Sequence, residues 1–251
     1  MRLITISFSP TGGTKKVVDM LAEAMPGERL QLDLTDAGEG YRRVTIRLED
    51  LCLIAMPVYG GRAPVLAMER FRSLQGNGSK CLLAAVYGNR DYEDTLAEMQ
   101  DAAEERGFIV TGAVAAVAEH SVVRSIATGR PDAQDREALH RAAGEWLDAL
   151  RDHRCVPQIP GNRPYTKPMS LRLVPKRTRA CTGCGACRAA CPASAIGADF
   201  VADPGACISC MRCIGVCPAG ARKANAMMVG LSRAVLKKDC QERKDMKVFL
   251  A

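Results

Sequence analysis

Eight of the twelve cysteines in this 251-residue chain stand in two copies of one short pattern. "CTGCGACRAACP" begins at Cys181 and "CISCMRCIGVCP" at Cys207, and both read C-x2-C-x2-C-x3-C-P. The first copy supplies Cys181, Cys184, Cys187 and Cys191; the second supplies Cys207, Cys210, Cys213 and Cys217. Three cysteines spaced by two residues let a tight loop wrap one metal centre. A fourth, three residues on and followed by proline, points away from that loop. The opening run "MRLITISFSP" has no secretory signal. A reducing cytoplasm is therefore the expected compartment, where clustered thiols read as metal ligands rather than disulfides.

In proteins holding two iron–sulfur clusters by this run, the fourth thiolate ligates the other cluster. One centre would then take Cys181, Cys184, Cys187 and Cys217, and the other Cys207, Cys210, Cys213 and Cys191. Two structural zinc ions are the competing reading, but zinc sites usually pair two C-x2-C knuckles across a longer gap. A third cysteine, and a fourth before proline, suit two [4Fe–4S] clusters better. The small residues within "TGCGAC" and "ISC" leave room for backbone amides to bond the sulfides. Over about residues 179–224 the segment resembles the bacterial two-cluster ferredoxin family, which implies a small α+β domain. Of the other cysteines, Cys52 and Cys81 sit in strand-like runs and read as small buried hydrophobes. Cys155 and Cys240 stand alone without a role.

A second group of residues lies near the amino terminus. In "SFSPTGGTKK", hydroxyls at Ser9, Thr11 and Thr14, with Gly12 and Gly13 between, end at a helix start, an arrangement suited to phosphate. The loop fits neither a Walker motif nor G-x-G-x-x-G, so nucleoside triphosphates and dinucleotides are not favoured. Two more loops, "MPVYGGRAP" and "VYGNRDYED", put glycine and tyrosine just past buried strands, where open α/β sheets bind ligands. Tyr59 and Tyr92 are placed to lie against a flat ring system. Gly60 and Gly61 allow a peptide to turn over, which a flavin exploits when its N5 gains a proton. His120, after the last strand, reads as structural; His140 and His153 receive no assignment.

With "SPTGGT", "PVYGGR" and "YGNRDY", residues 1–151 resemble the flavodoxin family. The resemblance implies non-covalent FMN at the switch point of a five-stranded parallel sheet ordered 2-1-3-4-5. It assigns Ser9, Thr11, Gly12, Gly13 and Thr14 to the phosphate. Pro57, Val58, Tyr59, Gly60 and Gly61 would line one side of the isoalloxazine, and Gly88, Asn89, Arg90, Asp91 and Tyr92 the other. The ring loops lack tryptophan; the only one, Trp146, falls in the last helix and reads as core.

The elements that must position these residues follow from periodicity. Strand-like runs at 2–8, 29–34, 51–57, 80–88 and 108–120 alternate with helical patterns at 14–25, 63–74, 94–107 and 131–151. That alternation predicts an α/β fold, a doubly wound parallel sheet covered on both faces. Residues 152–178 read as a basic, proline-rich linker and 225–251 as an amphipathic helix and tail. The helix, with Met227, Met228, Leu231, Val235 and Leu236 on one side, is expected to dock on a domain, a basic membrane-surface helix being the alternative.

Charge divides unevenly, −5 over residues 1–150 and +12 over 151–251, together the +7 of the chain. A basic half raises nucleic acid as a partner, but cluster thiolates and an FMN phosphate, at about −2 each, would bring the total near +1. Nucleic acid is therefore not required. No apolar run approaches the roughly 20 residues of a membrane helix. As a whole the chain looks like a flavodoxin–ferredoxin fusion of the kind found in anaerobic bacteria and archaea. This implies an electron carrier linking two clusters to FMN, with redox proteins as donor and acceptor and a homodimer left open. A flavin oxidoreductase fed by the clusters and reducing a quinone, nitro compound or similar acceptor is the alternative. A metal-stapled binding module with an empty first domain is the third.

Overall fold

Five of the apolar runs become parallel strands: β1 (Arg2–Ser7), β2 (Glu28–Asp33), β3 (Leu51–Pro57), β4 (Lys80–Tyr87) and β5 (Ile109–Val117). The structure, a computed structural model, describes residues 1–38, 40–151, 157–169 and 172–250. His153, Cys155 and the rest of 152–156, where the expected linker begins, lie outside the described residues. The five strands run in the order 2-1-3-4-5, that of the flavodoxin-like doubly wound fold. Because helices cover both faces, β3 and β4 are buried almost throughout and read as continuous apolar runs.

Successive side chains alternate between the two faces. Ile4, Ile6, Ile54 and Leu83 pack with Met68, Phe71, Leu96 and Phe108 on the side of α2 (Val65–Arg72) and α3 (Thr95–Glu105). Leu3, Leu53 and Leu82 pack with Val17, Leu21, Leu139 and Trp146 on the side of α1 (Gly13–Glu23) and α4 (Ala133–Arg151). Trp146 is fully buried and donates from Nε1 to Thr111 Oγ1 at 2.9 Å, which satisfies its one polar atom.

The cysteine repeat builds a smaller unit. Strands β6 (Lys176–Arg177) and β7 (Arg222–Lys223) pair antiparallel and close its ends. Between them lie the one-turn helices α5 (Ala186–Ala189) and α6 (Arg212–Gly215). The 26-residue repeat is visible in the backbone. Gly185 (φ 80°) and its counterpart Met211 (φ 62°) both precede their helices in the left-handed conformation. The amides of Ala195 and Ala221, also counterparts, donate to Cys191 Sγ and Cys217 Sγ at 3.3 and 3.2 Å.

The tail departs from expectation. Helix α7 (Ala226–Leu236) forms, with Asn225 Oδ1 accepting from the amides of Met227 and Met228, but none of its residues is buried. Met227, Leu231 and Val235 are 76%, 55% and 60% exposed, so the helix is not docked on either domain. What anchors the tail is β8 (Lys247–Leu250), which pairs antiparallel with β5 and makes the sheet six-stranded. A free edge of β5 would leave a row of unpaired backbone groups, and the four-residue strand covers it. Phe249 packs on one core and Val248 and Leu250 on the other.

Residues 157–169 lie along the first domain. The buried Asp94 accepts from the amide and Nδ2 of Asn162 (2.8 and 2.9 Å) and from the amide and Oγ1 of Thr166 (both 2.7 Å). Arg163 forks onto Asp101 (2.6–3.0 Å), and the Arg62 guanidinium stacks 4.3 Å from the Tyr165 ring centre.

Candidate functional site

The eight repeat cysteines gather in two groups, each taking its fourth member from the other repeat. One cavity is lined by Cys181, Cys184, Cys187 and Cys217, with Phe200 and Arg222 beside them. In the other group Cys191 stands near Cys207, Cys210 and Cys213, close enough for their charges to act on one another. Burial pushes the Cys210 thiol up to about 11 and the Cys213 thiol up to about 12. Neither would ionise at neutral pH alone; a bound cationic centre is what makes such thiols thiolates. Four cysteine sulfurs in each group, the fourth drawn from the other repeat, are the donor set of a cluster in which each thiolate holds a separate iron, so the residues present fit iron–sulfur clusters.

Cys52 and Cys81 pair in register across β3 and β4 and are fully buried, the Cys52 thiol raised to about 12 by burial. They are core residues, as their strand setting implies.

At the amino end, Gly12 (φ 89°) turns the chain into α1, and a side chain there would meet nothing within 4 Å. Ser9 Oγ accepts from the Lys15 amide at 2.8 Å and Thr35 Oγ1 accepts from the Ser9 amide at 2.7 Å, which fixes the loop. Among the described residues the amides of Thr11, Gly13 and Thr14 have no hydrogen-bond partner. The helix N-terminus is thus left with donors to offer an anion.

The two loops expected at a ring system are arranged differently. Val58 donates its amide to Val86 O at 2.9 Å, continuing from Pro57 at the end of β3. Tyr59 is partly exposed, and burial of its phenol, with Cys210 nearby, holds it well above 10. Gly60 (φ 60°) and Gly61 (φ 88°) adopt the left-handed conformation that glycine permits. Their carbonyls are held, however: Gly60 O accepts from the Met169 amide (3.0 Å) and Gly61 O from the Asp94 amide (3.1 Å). A peptide there is not free to turn over as the sequence suggested, because the 157–169 segment and the start of α3 fasten it.

Tyr92 does not present a ring face. It is 7% exposed, packs edge-on to Tyr87 and against Phe249, and carries Lys247 over its ring. The β8 strand, which joins the sheet from the far end of the sequence, claims it for the core. Asn89 is likewise engaged by the tail, its Nδ2 donating to Glu242 O (2.8 Å) and its Oδ1 accepting from the Lys244 amide (3.2 Å). Arg90 pairs with Glu93 and offers its carbonyl to Lys244 Nζ. Asp91 Oδ1 caps the amides of Tyr92 and Glu93. Gly88 is required by space, since a side chain would come within 2.6 Å of the His120 ring. His120 itself accepts at Nδ1 from the amides of Val122 and Val123 (3.2 and 3.0 Å), a structural role.

The cysteine unit sits on the carboxyl ends of β1 and β3. Arg212 Nη1 donates to Pro10 O in the amino-terminal loop at 3.2 Å. Cys210 neighbours Tyr59, and Ile208 packs on the core. Arg70, buried in α2, donates to Leu34 O and to Pro192 O, both at 2.6 Å, and so bridges the two units directly behind Cys191. Sequence reasoning missed Arg70, Arg212 and the tail strand; "KVFL", a short β-prone run near the terminus, was the one local signal.

Residues 174–197 and 200–223 match the family model of the 4Fe-4S binding domain. The chain joins a flavodoxin-like α/β domain to a ferredoxin-type iron–sulfur domain. No curated protein matches the chain. Among solved structures, a flavodoxin from Streptococcus pneumoniae TIGR4 is similar at 19% identity and TM-score 0.43, over 59% of this chain and 99% of that one. A flavodoxin from the domain Archaea is similar at 13% identity and TM-score 0.44, over 60% and 99%. Rubredoxin oxygen:oxidoreductase from the anaerobe Desulfovibrio gigas is similar at 11% and 0.44, over 60% of this chain and 36% of its own, so the match spans about a third of that protein. No helix among the described residues is long and apolar enough to cross a membrane.

For a flavin mononucleotide, the two ends of the flavodoxin-like domain's site differ. The loop from Ser9 to Thr14 fits a phosphate monoester through its unpartnered amides. On the ring side, Tyr59 remains partly open, while Tyr92, Asn89 and the Gly60–Gly61 carbonyls are engaged by the chain itself.

Proposed function

We propose that this chain is an electron-transfer protein in which two [4Fe–4S] clusters, held by Cys181, Cys184, Cys187, Cys217 and by Cys207, Cys210, Cys213, Cys191, work with an FMN seated on the flavodoxin-like domain. The observation that carries the reading is the seating of the second cysteine group on the carboxyl end of the sheet. Cys210 neighbours Tyr59, and Arg212 reaches Pro10. Open α/β sheets bind their ligands at that end, so the ligand site and one cysteine group share a boundary within one polypeptide. When bound, the clusters supply one-electron steps and the flavin one- or two-electron steps. The chain's own contribution is position. Arg70 and Arg212 hold the ferredoxin-type domain against the rim, and the loop at Ser9–Thr14 offers amides to a phosphate. In the second cysteine group Cys210 is buried, while Cys191, Cys207 and Cys213 are half-buried.

The test is anaerobic purification with iron, sulfide and FMN quantitation and EPR of the reduced form. About eight irons and one FMN per chain are expected. A colourless protein carrying zinc, or an iron-loaded protein that takes up no FMN from excess, would overturn the assignment of the corresponding domain. Turnover with reduced ferredoxin and a panel of small acceptors separates the two redox roles. Saturable reduction of one acceptor identifies an enzyme, and slow, unselective reduction a carrier.

A further inference from the structure

The ferredoxin-type domain buries a cation without giving it a carboxylate. Arg222, in β7 just past the second cysteine repeat, is 3% exposed. Its Nη atoms donate to neutral carbonyls, Nη1 to Pro175 O at 3.0 Å and Nη2 to Phe200 O at 2.8 Å, and its Nε is buried with no acceptor. Among the described residues no Asp or Glu lies within ion-pair distance of it. What it faces is cysteine. Arg222 lines the cavity of Cys181, Cys184, Cys187 and Cys217, and its charge also reaches Cys213 in the other group, where it opposes the rise that burial imposes on that thiol. Arg177 lines the same cavity but is exposed, so water and salt screen it. The repeat shows that the fold does not require an arginine at this place. Its counterpart 26 residues earlier is Ile196, 5% exposed and packed with Cys187.

A buried charge is costly unless an opposite charge compensates it, and the two groups of metal-binding thiolates are the anions at hand. We propose that Arg222 tunes the reduction potential of the iron–sulfur clusters, as a permanent positive charge set against both cysteine groups that raises the potential of each. This rests on the reading of the eight cysteines as ligands of two [4Fe–4S] clusters. Reduction by one electron adds a negative charge to such a site, and a fixed cation beside it stabilises the reduced form more than the oxidised one. Net charge is one of the terms that set these potentials. A guanidinium stays protonated throughout the neutral range, so its contribution does not depend on pH there.

The full chain, purified anaerobically with its clusters, is reduced stepwise with dithionite and redox mediators while EPR counts the reduced clusters. Two neutral variants carry the test. Arg222→Ile uses the side chain that the first repeat has at 196, and Arg222→Gln keeps a donor for the backbone carbonyls. Both are expected to lower the ratio of reduced to oxidised cluster at a fixed potential by about tenfold, equal to about 59 mV for one electron. Arg222→Lys keeps the charge and should stay within about threefold of the wild type. Iron content, about eight per chain, shows whether both clusters are intact in each variant. Neutral variants with full iron and an unchanged potential, or a lysine variant as low as the neutral ones, overturn the role of Arg222 and leave the clusters standing. Loss of iron from both neutral variants makes Arg222 a residue of assembly and overturns the role as well. A wild-type chain without iron and sulfide, or without an EPR signal on reduction, overturns the cluster reading itself.

Discussion

Arg70 bridges the two domains, and replacing it by methionine keeps its length while removing every donor. In the folded chain its guanidinium makes two short bonds, to Leu34 O and Pro192 O at 2.6 Å, and a longer one to Asp36 O at 3.3 Å. Hydrogen bonds from a charged group contribute about 1.5–3 kcal/mol each. Counting the two short bonds at the low end, and allowing for relief of the guanidinium's own burial, Arg70→Met should cost about 2–3 kcal/mol. The Leu34 bond lies inside the flavodoxin-like domain and the Pro192 bond ties it to the residue after Cys191. Both domains should therefore feel the loss. Trp146, the only tryptophan and fully buried in the first domain, reports on that domain by fluorescence, and cluster absorbance reports on the other. In anaerobic denaturant titrations both midpoints should fall together in Arg70→Met. Arg70→Lys should recover about half, since one ammonium cannot fork between two carbonyls. If Arg70→Met shifts either midpoint by less than about 0.5 kcal/mol, or Arg70→Lys matches the wild type, the reasoning about this clamp fails.

The crossed grouping of cysteines predicts a pattern in paired substitutions. Cys217→Ala with Cys184→Ala should lose no more iron than either alone, while Cys217→Ala with Cys210→Ala should lose nearly all, as iron quantitation would show; the reverse pattern would mean each repeat holds its own cluster. For Asp94, burial alone would raise the carboxyl, but the four bonds from Asn162 and Thr166 outweigh it and hold it at about 2, below the ordinary 3.8. A depressed carboxyl stabilises the fold above its unfolded pKa and loses that contribution as pH falls toward its folded pKa. Asp94→Asn should therefore be about 1–2 kcal/mol less stable at pH 7, and the gap between the two denaturation midpoints should narrow by pH 3; a gap independent of pH would contradict the shift. Leu231→Glu on the undocked face of α7 should change stability by less than about 0.5 kcal/mol, and a larger loss in thermal melts would show that the helix is packed after all.

Much of this molecule is written locally. Five apolar runs with helical patterns between them suffice for a parallel sheet covered on both faces, because strand and helix periodicity depend on residues within a few positions of one another. The cysteine spacing is equally local. Two copies of C-x2-C-x2-C-x3-C-P dictate soft-metal chemistry wherever the segment ends up, and the left-handed turns at Gly185 and Met211 follow the same repeat. What the tertiary structure decided is which of the predicted residues stay free. Tyr92 and Asn89 looked like ligand contacts in their loop, yet β8 and the chain before it, some 150 residues later, take both. Gly60 and Gly61 kept their unusual backbone but lost their free carbonyls to Met169 and Asp94. Arg212 and Arg70 acquired their roles only when the second domain came to rest on the sheet's carboxyl end. The physical reason is common to all of these. A sheet edge and a buried carbonyl must be satisfied by some partner, but any stretch of chain that reaches them can supply it, and only the folded path says which one does.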